Sequence, residues 1–249
     1  MPSQKAELRV VSNLEELERA GAGEVARLAR KAGPKRSFAL ALSGGRTPRG
    51  LYTRLTGDPY RALVPWASLH LFWGDERHVP PDHPDSNYRM VQETLLARAP
   101  VPPGNVHRIP AENPDAAEAA RGYEGILRAF FRLKEGQVPR FDLVLLGLGA
   151  DGHVASLFPE SEALRETGRL VAAPWIESLK THRITLTPPV IRSAAAVLVL
   201  ASGEEKAEAL KRALSPEGRV EECPARLLNE ARGHVVFIAD RLAAGQVRP

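Results

Sequence analysis

Short apolar runs alternate along this chain with longer segments in which apolar residues recur every three or four positions. Consecutive apolar residues predict buried strands, and the wider spacing predicts amphipathic helices. The predicted strands are 37–42, 68–72, 141–146, 183–186, 195–200 and 234–238, with weaker candidates at 8–11 and 106–109. The predicted helices are 13–31, 48–55, 86–98, 115–133, 204–214 and 226–232. This alternation predicts the α/β fold class.

Several of the predicted strands are apolar at consecutive positions, which is typical of strands covered by helices on both faces. We therefore expect a single doubly wound, mostly parallel sheet with helices on both faces, a modified Rossmann-like architecture. The Pro-rich segments 79–84 and 99–103 are too short to link two domains. We expect one domain, 1–249. Ligands of such sheets bind beyond the carboxyl ends of the strands, so the loops that follow strands are the candidate sites.

Composition narrows the function classes. The chain has 249 residues, 43% hydrophobic and 26% charged, which is enough material for a substantial core. Because no apolar run reaches about 18 residues, we expect neither a membrane span nor secretion. The 34 Lys and Arg exceed the 30 Asp and Glu only slightly and are interleaved with them, which argues against nucleic acid and suits an anionic small molecule. The only cysteine, Cys223, suggests a reducing cytoplasm and no nucleophilic role.

The first candidate loop follows the strand 37–42 and reads Ser43-Gly44-Gly45-Arg46-Thr47. We predict that the next helix begins at Pro48, a residue favoured at the first helical position. Two glycines let an anion approach the backbone, so this segment predicts a phosphate-binding loop. It is not a Walker A loop, because the Gly-Lys-Ser/Thr ending is missing. The alternative is a tight turn that binds nothing.

The second candidate loop follows the strand 68–72 and contains Asp75, Glu76 and Arg77. An arginine there can clamp a phosphate or stabilise an oxyanion, with a neighbouring carboxylate to orient it. Further along lie four potential metal ligands, His78, Asp82, His83 and Asp85. They lack the spacing of a metal site, so we interpret their Pro-rich segment as a solvated loop and predict no metal. We expect Trp73 to serve packing.

The third candidate is the turn Gly147 to Pro159, GLGADGHVASLFP. Gly147, Gly149 and Gly152 match the dinucleotide pattern G-x-G-x-x-G, but a carboxylate at Asp151 would repel a pyrophosphate. Asp151 beside His153 favours proton transfer instead, because imidazole exchanges protons close to neutral pH. The two side chains can converge if the backbone bends at Gly152. The alternative is a helix-capping aspartate followed by a structural histidine.

Two later cations complete the set. Arg183 begins a predicted strand, and Lys206 lies at a helix start after the strand 195–200. Each alone would be an ordinary surface charge. If the strand ends gather in the fold, both side chains are expected to converge with the Ser43 loop on one phosphate.

Together these segments closely resemble the 6-phosphogluconolactonase family, within the superfamily that also includes glucosamine-6-phosphate deaminase. The resemblance rests on 43–48, 73–77, 85–88, 147–159, 183–188 and Lys206, which span nearly the whole chain in the family's order. It implies hydrolysis of 6-phosphoglucono-δ-lactone to 6-phosphogluconate in the oxidative pentose phosphate pathway, with neither metal nor organic cofactor.

The resemblance also implies roles for particular residues. His153 matches the catalytic base, with Asp151 in support, and Arg77 matches a site arginine that holds either phosphate or oxyanion. The phosphate-binding set is implied to be Ser43, Gly44, Gly45, Arg46, Thr47, Arg183 and Lys206. Supporting positions are Asp75, Glu76, Gly149 and Gly152.

Two other functions compete with the lactonase. The deaminase resembles this chain at the Asp-Gly-His turn, but it carries a glutamate five residues after the histidine, where this chain has Phe158. It also has Met-Asp-Glu-Tyr where this chain has Gly74-Asp75-Glu76-Arg77. A non-catalytic sugar-phosphate sensor would share the phosphate loop and tolerate loss of His153. We expect a cytoplasmic monomer or small homo-oligomer that binds a sugar-phosphate lactone and no nucleic acid or membrane.

Overall fold

The computed structural model describes residues 6–247, so both ends of the predicted domain 1–249 lie outside the described residues. The strands of the main sheet are β1 (Glu7–Val11), β2 (Phe38–Leu42), β3 (Leu69–Trp73), β5 (Val106–His107), β6 (Leu143–Gly147), β10 (Ala196–Ala201) and β11 (His234–Asp240). A smaller sheet contains β4 (Asp75–Arg77), β7 (Val171–Ala172), β8 (Trp175–Ile176) and β9 (Thr181–Leu186). The helices are α1 (Leu14–Ala32), α2 (Arg46–Leu55), α3 (Tyr60–Leu63), α4 (Asn87–Val91), α5 (Ala116–Phe131), α6 (Pro188–Ser193) and α7 (Ala207–Leu214).

The main sheet has the strand order β1-β11-β10-β6-β2-β3-β5, and every pairing in it is parallel. From β2 the chain adds strands in one direction, to β3 and β5. From β6 it adds them in the other direction, to β10 and β11. The topological switch point therefore lies between β2 and β6, and doubly wound sheets bind ligands at such a point.

Helices cover both faces of the main sheet. Phe72 and Leu200 fall on opposite faces in the register that links β3, β2, β6 and β10, because side chains alternate along each strand. Phe130 of α5 packs on Phe72, with ring centroids 5.0 Å apart. Gly21 of α1 lies against Leu200 on the other face. The central strands are consequently buried on both sides, as their apolar runs predicted.

The predicted doubly wound architecture is confirmed, and all six main strand predictions correspond to strands. The smaller sheet was not predicted. Residues 183–186 belong to β9, which pairs antiparallel with β4, β7 and β8 and not with the main sheet. The weaker strands 8–11 and 106–109 are present as the two edge strands of the main sheet.

Three predicted helices differ in their details. Segment 86–98 is the short helix α4 followed by a π-helical turn, Gln92–Leu96. Segment 226–232 is a 3-10 helix, Pro224–Glu230, and the segment beginning at 204 starts with a 3-10 turn, Glu204–Lys206, before α7. These segments are apolar on one side, and tertiary packing decides how tightly each is wound.

Gly74 joins the two sheets. Its N–H donates to the carbonyl of Leu42 in β2 (2.8 Å), which extends the pairing of the main sheet by one residue. Its own carbonyl accepts from the N–H of Leu186 in β9 (2.8 Å). Residues Asp75 to Arg77, predicted as a loop, thus form a strand that extends beyond the carboxyl end of β3. The smaller sheet therefore lies beside the switch point of the main sheet.

Candidate active site

A cleft of about 230 Å³ lies at the carboxyl ends of the strands nearest the switch point. Its walls come from the loops after β2, β6 and β10 and from β4 of the smaller sheet. The lining residues are Ser43, Gly44, Gly45, Arg46, Thr47, Pro48, Asp75, Arg77, Asn87, Gly147, Leu148, Gly149, His153, Ala155, Leu200, Ser202, Glu205 and Lys206. Most of the residues predicted from separate loops therefore meet in one place.

The Ser43 loop is held rigidly by a buried tyrosine. The Ser43 N–H donates to the Tyr52 hydroxyl (3.0 Å), and that hydroxyl donates to the Ser43 carbonyl (2.8 Å). The Ser43 hydroxyl also accepts from the N–H of Gly147 (3.2 Å), which connects this loop to the end of β6. The two loops on either side of the switch point are thus in direct contact.

The helix after this loop begins earlier than predicted. Helix α2 starts at Arg46 and not at Pro48, with Gly45 as its N-cap residue at φ 102°. A positive φ of this size suits glycine and few other residues. Arg46 and Thr47 are the first two helical residues, so their backbone N–H groups lie in the first turn. Pro48, the third helical residue, has no N–H. Such a helix N-terminus attracts anions.

Asp151 and His153 converge as the sequence predicted. Nδ1 of His153 lies 2.6 Å from a carboxylate oxygen of Asp151, and the same oxygen accepts from the His153 backbone N–H (3.0 Å). Gly152 makes this bend at φ 91°. With the Nδ1 proton donated to Asp151, a neutral ring keeps its lone pair on Nε2, the nitrogen available to accept a proton.

Gly149 leaves room for this pair, because a Cβ there would lie 2.1 Å from Nδ1 of His153. The Phe158 ring packs beside the imidazole, with centroids 4.3 Å apart. Burial by itself would raise the pKa of Asp151. The hydrogen bond from His153 and the charge of a protonated imidazole outweigh that effect, so the pKa of this carboxyl lies below its ordinary value. Asp151 is therefore ionised at neutral pH.

Arg77 and Arg183 are direct partners across the antiparallel pair of β4 and β9. Residues opposite each other in this way project to the same face. Burial, together with the neighbouring Arg77, lowers the pKa of the Arg183 guanidinium. Arg77 lines the cleft and donates to the carbonyl of Asp85 (2.5 Å). Arg183 lies beside Arg77 and is not among the residues that line the cleft with the Ser43 loop.

Asp75 and Glu76 are both buried, but they differ in position. Asp75 lines the cleft and accepts a hydrogen bond from the Ser156 hydroxyl (2.7 Å). Glu76 points away and binds the start of α4, accepting from the backbone N–H groups of Asn87 and Tyr88 (2.7 and 2.8 Å). Burial raises the pKa of Glu76 despite these hydrogen bonds. Glu76 thus supports the wall of the cleft from behind.

Lys206 enters the cleft from the 3-10 turn after β10, beside Glu205. The preceding Ser202 is held by Asp240, whose carboxylate accepts from the Ser202 hydroxyl and from the Gly203 N–H (3.1 Å). The cation predicted to converge with the Ser43 loop therefore shares a cleft with it.

Several supporting residues were not predicted. Tyr52, Ser156 and Asn87 contact the cleft residues directly. Of these three, Tyr52 lies outside the segments that the resemblance had singled out. Cys223 packs behind the turn that contains Asp151 and His153, with its sulfur 2.7 Å from where a Cβ on Gly152 would lie. Burial raises the pKa of this thiol, which disfavours the thiolate form. Trp73 is fully buried, as expected for a packing residue.

The loop with His78 and His83 has no geometry suited to a metal. His78 bonds to the carbonyl of Asn113 (2.7 Å), and Nδ1 of His83 accepts from the N–H of Asp85 (3.1 Å). Within residues 6–247, no group of three or more His, Cys, Asp or Glu side chains is placed to hold a metal ion. The same residues contain no helix long and apolar enough to cross a membrane.

Comparison with known proteins agrees with this arrangement. Residues 12–237 match the family described as glucosamine-6-phosphate isomerases/6-phosphogluconolactonase. The chain is 40% identical over 210 residues to a 6-phosphogluconolactonase of Synechocystis sp., covering 84% of this chain and 85% of the relative. It is 36% identical over 260 residues to a probable 6-phosphogluconolactonase 1 of Arabidopsis thaliana, covering 98% and 94%.

A solved structure agrees as well. The fold superimposes on that of the 6-phosphogluconolactonase from Trypanosoma brucei with a TM-score of 0.89 and 33% identity, covering 98% of this chain and 99% of the other. The family match, the sequence relatives and the shared fold lead to one conclusion: this chain belongs to the glucosamine-6-phosphate isomerase/6-phosphogluconolactonase family.

Proposed function

We propose that this protein hydrolyses 6-phospho-D-glucono-1,5-lactone to 6-phosphogluconate, a step of the oxidative pentose phosphate pathway. The observation that carries the proposal is that His153, which is bound by Asp151 behind it, lines the same cleft as the Ser43 loop. A lactone carbonyl needs an activated water and stabilisation of the developing negative charge. A phosphate at the far end of the same molecule needs a cationic, amide-lined site.

His153 acts as the general base in the proposed mechanism. Its Nε2 takes a proton from a water molecule as the water oxygen bonds to C1 of the lactone, and the carbonyl π electrons move to the carbonyl oxygen. The tetrahedral intermediate then re-forms the carbonyl and breaks the bond from C1 to the ring oxygen, which takes the proton back from the imidazolium. The new carboxylic acid releases its proton to solvent. Asp151 holds the ring by Nδ1 and stabilises the transient imidazolium.

Backbone N–H groups and cationic side chains bind the phosphate and stabilise the oxyanion. The Ser43–Thr47 loop, the N-terminus of α2 and Lys206 bind the phosphate, because backbone N–H groups and an ammonium are concentrated there. Arg77 or backbone N–H groups meet the oxyanion, and Arg183 adds positive charge beside Arg77 on the same face. Asp75 and Glu76 hold this wall in place.

Phe158 favours the lactonase over a deaminase. The deaminase carries a glutamate at this position, and here an apolar ring packs against the imidazole instead, 4.3 Å between centroids. This ring has no proton to transfer. Ammonia release from glucosamine 6-phosphate is therefore expected to be absent.

The experiment is a pH-stat assay on freshly prepared 6-phosphogluconolactone with EDTA present. We expect acid release well above the spontaneous rate, undiminished by EDTA, and no ammonia from glucosamine 6-phosphate. Acid release at the spontaneous rate would contradict the proposal, and ammonia release would favour the deaminase. Metal independence, a cytoplasmic location and a monomeric or small homo-oligomeric state belong to the same proposal; sedimentation of the purified protein tests the last.

A further inference from the structure

Asn87 is a buried amide in the wall of the cleft. Asn87 is only 2% exposed, and it lines the cleft. Its small accessible surface therefore faces the space that a ligand would occupy. Its backbone N–H donates to Glu76 (2.7 Å), and its side-chain nitrogen donates to the carbonyl of Asp75 (2.9 Å). These two bonds hold the side chain in one orientation.

The orientation of the carboxamide follows from its partners. The Asp75 carbonyl can only accept a hydrogen bond, so the nitrogen of Asn87 must face it and Oδ1 must face the other way. There Oδ1 lies against Gly44, where a Cβ would come within 1.9 Å of it. Among residues 6–247, no N–H or O–H group makes a hydrogen bond to this oxygen. Oδ1 of Asn87 is therefore an acceptor beside the Ser43 loop that is available to a ligand or to water.

An amide oxygen repels a phosphate, because both groups are acceptors, but it accepts readily from a hydroxyl. We propose that Asn87 is a specificity residue whose Oδ1 accepts a hydrogen bond from a hydroxyl of the sugar-acid portion of the ligand, adjacent to its phosphate. This proposal rests on the proposed function. It assigns to Asn87 the discrimination between a polyol phosphate and phosphate alone.

The test compares two probes, 6-phosphogluconate and inorganic phosphate, in calorimetric titrations of the full chain. For Asn87→Ala we expect roughly 10-fold weaker binding of 6-phosphogluconate, equivalent to about 1.4 kcal/mol, and phosphate affinity within about twofold of the original. Ser86→Ala is the matched control: Ser86 starts the same helix and also bonds to Glu76 but does not line the cleft. It should leave the ratio of the two affinities unchanged.

A double variant separates the ligand role from a packing role. Gly44→Ala should disrupt the loop, since its new methyl would overlap the Asn87 amide, and it should weaken both probes. Adding Asn87→Ala removes that overlap, so phosphate binding should recover while the loss specific to 6-phosphogluconate remains.

Three results would overturn the proposal: an equal loss of both probes in Asn87→Ala, no loss of either, or full recovery of 6-phosphogluconate binding in the double variant. If Asn87→Ala fails to fold, Asn87→Ser, which keeps a small polar side chain, is measured in its place. Failure of the proposed function is recognised separately, because the unmodified protein would then fail to hydrolyse the lactone.

Discussion

His153 and His107 both have a ring nitrogen close to a second titratable side chain, but they lie in different parts of the main sheet. His153 follows the central strand β6, faces the cleft and pairs with a carboxylate, Asp151, at 2.6 Å. His107 lies on the edge strand β5, stacks on Phe72 and pairs with a second imidazole, that of His70, at 3.2 Å.

The surroundings give the two pairs opposite properties. Burial, assisted by His70, lowers the pKa of His107 to about 4, and burial also lowers that of His70. In the edge pair, formed by His107 and His70, the partner is another imidazole, which cannot compensate a positive charge. In the cleft pair, formed by His153 and Asp151, the partner is a carboxylate, which can. A nearby hydrogen-bond partner is thus insufficient for proton transfer. The charge of the partner and access to a ligand decide which histidine is useful.

The largest expected effect is on the cleft histidine. His153→Ala should lower kcat for lactone hydrolysis by about 10² to 10⁴, the usual range for losing a general base. His107→Gln is the control and should stay within about twofold of the original kcat, because the edge pair takes no part in the chemistry. Initial rates in the pH-stat, corrected for spontaneous hydrolysis, measure both. Unchanged turnover without His153 would contradict the mechanism.

Replacing the partner of His153 sharpens the comparison. Asp151→Asn makes the cleft pair neutral, as the edge pair is, while keeping an oxygen that can accept from Nδ1. We expect kcat to fall by about 10- to 100-fold, since the imidazolium loses its stabilising charge. Steady-state kinetics at saturating substrate measure this loss. An Asp151→Asn enzyme with the original kcat would mean that the carboxylate charge is unimportant.

Lys206 shares the cleft with His153 but has no proton-transfer role in the proposal. Lys206→Ala should raise KM about 10-fold and change kcat by less than about threefold, because the ammonium binds the phosphate equally in ground and transition states. Comparison of kcat and KM over a range of substrate concentrations checks this. A fall in kcat as large as that of His153→Ala would place Lys206 in the chemical step instead.

The edge pair should instead affect stability in acid. The unfolded chain takes up a proton at His107 near its ordinary pKa of 6.5, whereas the folded chain does so only near 4. Stability is therefore full above pH 6.5 and declines as the pH falls from 6.5 toward 4. Allowing for solvent screening, we expect a loss of about 1 kcal/mol at pH 5.

Urea unfolding at pH 7.5 and pH 5 measures this loss. His107→Gln should reduce the difference in the free energy of unfolding between the two pH values. Equal acid sensitivity in the original protein and in His107→Gln would show that other groups are responsible.

The sequence was a good guide where the physical signal is local. Consecutive apolar residues predicted the buried strands, and Gly152 between Asp151 and His153 allowed the bend that brings them together. It was a poorer guide where distant segments decide the outcome. Residues 183–186 were predicted as one more strand of the main sheet, yet their antiparallel partner is β4. Gly74, which precedes β4 in the chain, connects the two sheets through its hydrogen bonds to Leu42 and Leu186.

By itself, the sequence determined the α/β class, the alternation of strands and helices, and the side chains available for proton transfer and anion binding. These depend on periodicity and residue type, which the chain carries locally. Only the tertiary structure decided that the Ser43 loop and the Asp151–His153 turn meet at the switch point between β2 and β6, that Arg183 lies beside Arg77, and that Asn87 faces Gly44. Contacts between residues so far apart in the chain arise from strand order and packing, which no local pattern contains.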